Sequence, residues 1–163
     1  RNASAYEGLE TRFAVQATCF SPNFIHAWAR ERATRADLIP READALQQSL
    51  LNQASTELRF FLVLETREPH WDDLATTQPS LKVRIFTTDG DTFIKPTSIK
   101  EIGNDEMADL RVLFPYARPN ATGYWIIFPH QPEPNLLRMQ VGGTPASLNL
   151  EWSVWSAETI DGR

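Results

Sequence analysis

Cysteine is almost missing from this chain: Cys19 is the one cysteine among 163 residues. No intramolecular disulfide can form, so the fold has to rest on packing rather than on a disulfide framework. Glycine is also sparse, with 7 residues, and the one pair, Gly142-Gly143, lacks the strand–loop–helix setting of a phosphate cradle. No apolar run reaches the roughly 18 residues that a membrane-spanning helix needs. Positive charge is in deficit, with 16 Lys and Arg against 21 Asp and Glu and a net charge of −5. That balance argues against a nucleic-acid partner, because no broad cationic field is available for phosphates. Histidine is limited to His26, His70 and His130. No HExxH, CxxC or Gly-x-Ser-x-Gly pattern occurs, so the common zinc and nucleophile signatures are missing.

What is present is a chain 42% hydrophobic and 23% charged, too apolar for disorder and of a length that fits one domain. A chain of this size buries about 68–70% of the surface its unfolded form exposes. It begins at Arg1 without a methionine, and the expectation is a processed or truncated product. Asn2-Ala3-Ser4 and Asn120-Ala121-Thr122 fit the glycosylation sequon, a triplet that also occurs often by chance.

The pattern along the chain is mostly that of strands. Residues 1–10 read as a polar lead-in. Residues 11–20 alternate, with Phe13, Val15, Ala17 and Cys19 on one face, which predicts a half-buried strand and a core cysteine. At Ser21-Pro22 the period changes: serine suits a helix cap and proline the first helical position. Ile25, Trp28 and Ala29 continue at helical spacing to about Arg35. A second helix opens near Pro40 and carries the stripe Ala43, Leu46, Leu50 and Ala54. Residues 21–56 are thus expected to form a helical hairpin inserted after the first strand.

Residues 58–66 contain Phe60-Phe61-Leu62-Val63-Leu64, apolar on both faces, as in a central strand covered on both sides. Leu81, Val83 and Ile85 alternate with Lys82 and Arg84, and Asp89-Gly90 predicts a hairpin turn. A return strand over residues 92–102 is interrupted by Pro96, which predicts an edge or a bend. Residues 103–121 read as irregular. Strands follow at 123–129, 136–141 and 147–155, the last with Leu148, Leu150, Trp152 and Val154 inward, and residues 156–163 form a polar tail. Seven strands with regular turn signals predict a mostly β, antiparallel, Ig-like β-sandwich, formed by residues 11–20 and 58–155. No Cys–Trp–Cys framework accompanies it, so it is not a true immunoglobulin domain.

Several phrases resemble a group of uncharacterised exported bacterial proteins, many of them lipoproteins. They are Trp71-Asp72-Asp73-Leu74, Pro96-Thr97-Ser98-Ile99, Phe114-Pro115-Tyr116, Tyr124-Trp125-Ile126-Ile127-Phe128-Pro129 and Leu148-Asn149-Leu150-Glu151-Trp152. The resemblance implies a periplasmic or cell-envelope sandwich, with any lipid-bearing cysteine upstream of Arg1. It carries over no catalytic residues.

The candidate binding residues follow from residue type. His70, Trp71, Asp72 and Asp73 form a polar loop with one large aromatic. Together with His130, if the two loops meet at one end of the sandwich, they would make a small glycan or metal site. Arg30 and Arg35, with Arg32, lie on the first helix of the insertion and could receive a partner. Glu65, Glu68, Asp72 and Asp73 are the carboxylates from which a hydrolase pair would be drawn. Asp89 and Asp91 offer too few oxygens for calcium, and the turn itself accounts for them. Trp28 is expected to pack a helix on the sheet, and Trp125 and Trp155 to lie under the insertion or exposed. The leading expectation is a non-catalytic envelope binding or assembly module without cofactor or metal, its partner another envelope protein. A small-ligand module is the alternative, and a hydrolase ranks below it.

Overall fold

The computed structural model describes residues 1–7, 10–86, 92–130, 136–144 and 146–153. The expected Asp89-Gly90-Asp91 turn, Val154, Trp155 and the polar tail fall outside them.

The described residues are mostly β, with two antiparallel sheets and three α-helices. Strand β2 (Glu10–Cys19) puts Phe13, Val15, Ala17 and Cys19 into the core, as their alternation requires. Burial pushes the Cys19 thiol up to about 12, so it stays protonated and inert at neutral pH. The polar lead-in is instead strand β1 (Asn2–Glu7), which pairs along β2 from Asn2↔Gln16 to Ala5↔Phe13. Its apolar signal is two small residues, Ala3 and Ala5, too slight to stand out, although both reach the core. The backbone ladder holds it, and that term leaves no mark in a hydropathy pattern.

The helical hairpin forms as expected, but it follows the second strand rather than the first, because β1 precedes β2. Helix α1 (Pro22–Arg35) is capped by Ser21, whose hydroxyl accepts the Phe24 N–H at 3.3 Å, with Pro22 in the first turn. It buries Ile25, Trp28, Ala29 and Ala33. Asp37, at φ 50, makes the left-handed turn out of it. Helix α2 (Pro40–Ala54) follows, its first turn tied by Glu42, whose carboxylate accepts the Ile39 N–H at 3.4 Å. No α2 side chain is fully buried; Leu50, Leu51 and Ala54 are half-covered and lean on the same cluster as α1.

Strand β3 (Glu57–Thr66) lies at the centre, between β2 and β7 (Thr122–Pro129). Phe60, Leu62 and Leu64 face the other sheet, while Phe61 and Val63 face the helices. The doubly apolar sequence therefore reflects two buried faces. Strands β4 (Leu81–Phe86), β8 (Leu137–Gly143) and β9 (Ser147–Trp152) supply the opposite wall of the main core, with Leu81, Val83, Ile85, Met139, Val141 and Leu150 inward.

The expected single return strand is two strands in two sheets. β5 (Phe93–Ile94) pairs with β4, whereas β6 (Ser98–Glu101) pairs with β7. Pro96 lies between them and cannot donate to a ladder, so the chain leaves one sheet there and joins the other. Thr97 N–H re-enters at Ile127 O, 2.8 Å away.

The segment read as irregular contains helix α3 (Asn104–Leu113). Its apolar signal is short, with Met107 and Leu110 as its buried residues, and Asp105 and Glu106 stabilise its first turn through the helix dipole. Met107 fits over Gly123 of β7, where an added Cβ would come within 2.2 Å of Met107 Sδ and 3.3 Å of Phe61. Gly123→Ala is therefore expected to destabilise the fold by about 1–3 kcal/mol through overpacking. Denaturant midpoints check this, and an unchanged midpoint would show that α3 can move aside.

The finished sheets have the orders β1-β2-β3-β7-β6 and β5-β4-β8-β9. Helices cover the outer face of the first, so the layers run helix, sheet, sheet. The outer face of the second is polar, with Arg84 Nε donating to Gln140 at 2.7 Å and Arg138 Nε to Glu151 at 2.7 Å. Among the described residues, no helix is long and apolar enough to cross a membrane.

Candidate functional site

The loop residues singled out from sequence split into two locations. Register places Leu64 beside Thr122 and Glu57 beside Pro129. His70 and Trp71 follow the Thr66 end of β3, while His130 follows Pro129 at the other end of β7. Seven strand steps separate the two ends, roughly 24 Å, so His70 and His130 do not share a site. The expected meeting of their loops fails because β3 and β7 are antiparallel neighbours, which sends the two loops to opposite ends. His26 is exposed on α1. Among the described residues, no group of three or more His, Cys, Asp or Glu side chains gathers around one point.

The His70 loop is closed by its own chemistry. Trp71 is half-buried, edge-on to Phe13 at 6.3 Å, with the Arg12 guanidinium 6.0 Å from its ring. Asp72 accepts from the hydroxyls of Thr122 and Tyr124, the latter at 2.8 Å. Asp73 takes the Ser80 N–H on both oxygens, at 2.8 and 3.0 Å. Of the other carboxylates, Glu65 meets Arg118 at 3.4 Å and Glu68 meets His70 at 3.7 Å. Asp72 and Asp73 therefore tie this loop to β7 and to the start of β4, and neither faces the other across a cleft.

These buried hydroxyls set a pH response. Burial, and then the Asp72 hydrogen bond and charge, push the Tyr124 phenol well above its usual value. Burial pushes Tyr116, hydrogen-bonded to Thr18 at 2.8 Å, up to about 12. The folded chain thus binds these protons more tightly than the unfolded chain, where the phenol ionises near 10.0. Stability from this source is complete below the unfolded value and falls as pH rises toward about 12. Denaturation across that window is expected to show the loss, and Tyr116→Phe to lessen it while Tyr124 keeps the remainder; a flat wild-type profile would contradict the assignment.

A different place has the form of a binding site. Over the outer face of β3 and β7, α1 and α3 stand apart above Trp125. A cavity of about 130 Å³ runs under α1 and α2, bounded by Phe20, Ile25, Leu50, Glu57 and Arg59. A second, of about 330 Å³, opens between α1 and α3, bounded by Arg35, Asp109, Leu113 and Val112. Trp28, Arg32, Glu106 and Trp125 line both. The two chambers therefore form one groove with tryptophan in its floor and side.

Each groove residue is held from behind. Trp28 stacks on Phe114 at 5.2 Å, and Trp125 packs edge-on to Phe20 at 5.4 Å. Trp125 Nε1 donates to Glu106 Oε1 at 2.8 Å, which fixes both the ring and the carboxylate. The Arg59 guanidinium lies 5.5 Å from the Trp125 ring and donates to Glu57 at 3.0 Å, while its Nε is enclosed without a partner. Arg35 is held by Glu31 at 2.7 Å on its own helix. Arg32 has no ion pair or side-chain hydrogen bond among the described residues.

Of the arginines singled out from sequence, Arg35 borders this groove, whereas Arg30 borders a shallower depression between α1 and α2. Arg32, named with them on the same helix, lines both chambers; sequence reasoning missed Arg59, Glu106 and the groove itself. One signal was present: Arg59 shares the outward parity of Phe61 and Val63, so it is a cation placed on a face otherwise destined for burial. The α3 wall had no comparable signal, because that helix was not foreseen.

No protein-family model, curated protein or solved structure matches the chain.

Proposed function

We propose that this chain is a non-catalytic binding module of the cell envelope, an Ig-like sandwich that presents the α1–α3 groove to its ligand. The observation that carries the reading is the groove: two joined chambers with an aromatic floor and a few fixed charged groups, the usual form of a small-ligand site. The strand orders support the Ig-like reading. With β2 taken as the first strand, β2-β3-β7-β6 and β5-β4-β8-β9 reproduce the A-B-E-D and C′-C-F-G arrangement. The envelope location rests on the resemblance of those short phrases to exported bacterial proteins.

A protein partner met by strand addition has less support. Of the four edge strands, β5 and β6 are two and four residues long, and short edges make poor templates; β1 and β9, six residues each, lie against one another.

The test is a titration of the labelled protein with extract from its own source, divided into small-molecule and macromolecular fractions. The small-molecule fraction is expected to shift the indole N–H resonances of Trp28 and Trp125 and to leave that of Trp71 in place. Trp125→Ala should abolish the response. A response to the macromolecular fraction alone would favour a protein partner, and a silent groove in both would overturn the binding role. Fractionation of cells should recover the full-length protein with the envelope; recovery in the cytosol alone would contradict export.

A further inference from the structure

The groove has opposite charges on its two walls. On the α1 side stand Arg32 and, one turn later, Arg35; on the α3 side stand Glu106 and, one turn later, Asp109. Arg32 and Glu106 border the same two chambers, yet they form no ion pair with each other. Glu106 commits Oε1 to the Trp125 indole, which leaves Oε2 for another donor. Between these walls are the Trp28 and Trp125 rings.

Ligand classes can be separated on this pattern. A simple anion would meet Arg32 but also Glu106, Asp109 and Glu57. A simple cation would meet Glu106 but also Arg32 and Arg59. An uncharged apolar ligand would strip water from Arg32 and Glu106 and return no hydrogen bond, a cost that opposes binding. A molecule with an anion and a cation a few ångströms apart, and an apolar group beside them, satisfies every wall. The inner chamber, at about 130 Å³, equals the volume of roughly four waters in the liquid, enough for one aliphatic or aromatic side chain.

We propose that the groove binds an α-amino zwitterion with an apolar side chain. Its carboxylate meets Arg32, its ammonium meets Glu106, and its side chain enters the chamber under α1 beside Trp28 and Trp125. The same chemistry is offered by a free amino acid and by a dipeptide. This inference rests on the groove being the binding site.

Calorimetry with L-phenylalanine, N-acetyl-L-phenylalanine, L-phenylalaninamide and glycyl-L-phenylalanine tests it. L-phenylalanine or the dipeptide should bind, and the tighter of the two identifies the source. Blocking either end of L-phenylalanine should weaken binding about tenfold or more, since each block removes a charge-assisted hydrogen bond.

Two variants separate recognition from folding. Arg32→Gln should erase the preference for L-phenylalanine over its amide while keeping the preference over the acetylated form. Glu106→Gln, whose amide oxygen still accepts from Trp125, should do the reverse. Affinities indifferent to blocking, variants that lose both preferences together, or no binding by any of the four probes would overturn the proposal. If the probes fail while the small-molecule extract still shifts the Trp125 resonance, the zwitterion falls and the binding role stands. If both fail, both fall.

Discussion

Phe61→Ala is expected to lower the free energy of unfolding by about 3–5 kcal/mol, the range for deleting a buried phenyl ring. Phe61 is fully buried on the helix-facing side of the central strand. Its ring lies 4.8 Å from Phe114, 5.6 Å from Trp125 and 6.0 Å from Tyr116. It therefore joins the sheet to both the groove floor and the segment after α3. Truncation removes its own burial and opens a cavity beneath three aromatic rings that β-strand backbone prevents from collapsing. Equilibrium urea unfolding measures the loss. A cost under about 1 kcal/mol would mean that the helical layer repacks freely over the sheet, contrary to a tightly packed aromatic core.

Asp72→Ala is expected to cost about 2–4 kcal/mol, built from two hydroxyl bonds to a charged acceptor at about 1.5–3 kcal/mol each, less what water recovers. Tyr124 is fully buried, so its hydroxyl would lose its acceptor in a place water reaches poorly. Thr122 would lose the same partner. Ligand binding at the groove should be unchanged in this variant once its lower stability is allowed for, because Asp72 belongs to the loop beyond Thr66. Unfolding by denaturant together with the groove titration checks both halves. Loss of binding at undiminished stability would return Asp72 to the candidate site.

Where one side chain per residue decides the outcome, the sequence was informative. The alternation of Phe13, Val15, Ala17 and Cys19, the Ser21-Pro22 helix start and the doubly apolar run Phe60–Leu64 each state a burial pattern directly. Pro96 marked a break, although nothing local says that the chain then changes sheets; that depends on β7 offering a free edge. Strand β1 escaped notice because backbone pairing holds it, and α3 because two buried residues make too short a stripe.

The site was harder to read for a related reason. His70, Trp71, Asp72 and Asp73 are neighbours in sequence, and sequence proximity made them look like a constellation. The antiparallel register then removed His130, and local hydrogen bonds accounted for both aspartates. The groove draws Trp28 and Arg32 from one helix, Arg59 and Trp125 from two strands, and Glu106 from a second helix. Only the topology brings them together.

Hydrogen exchange of the full-length protein, with and without the small-molecule fraction from its own source, bears most directly on the central claim that α1, α3 and Trp125 form the binding site. Protection should rise in α1 and α3 and stay level across residues 68–80. Protection confined to that loop, or unchanged everywhere, would contradict it.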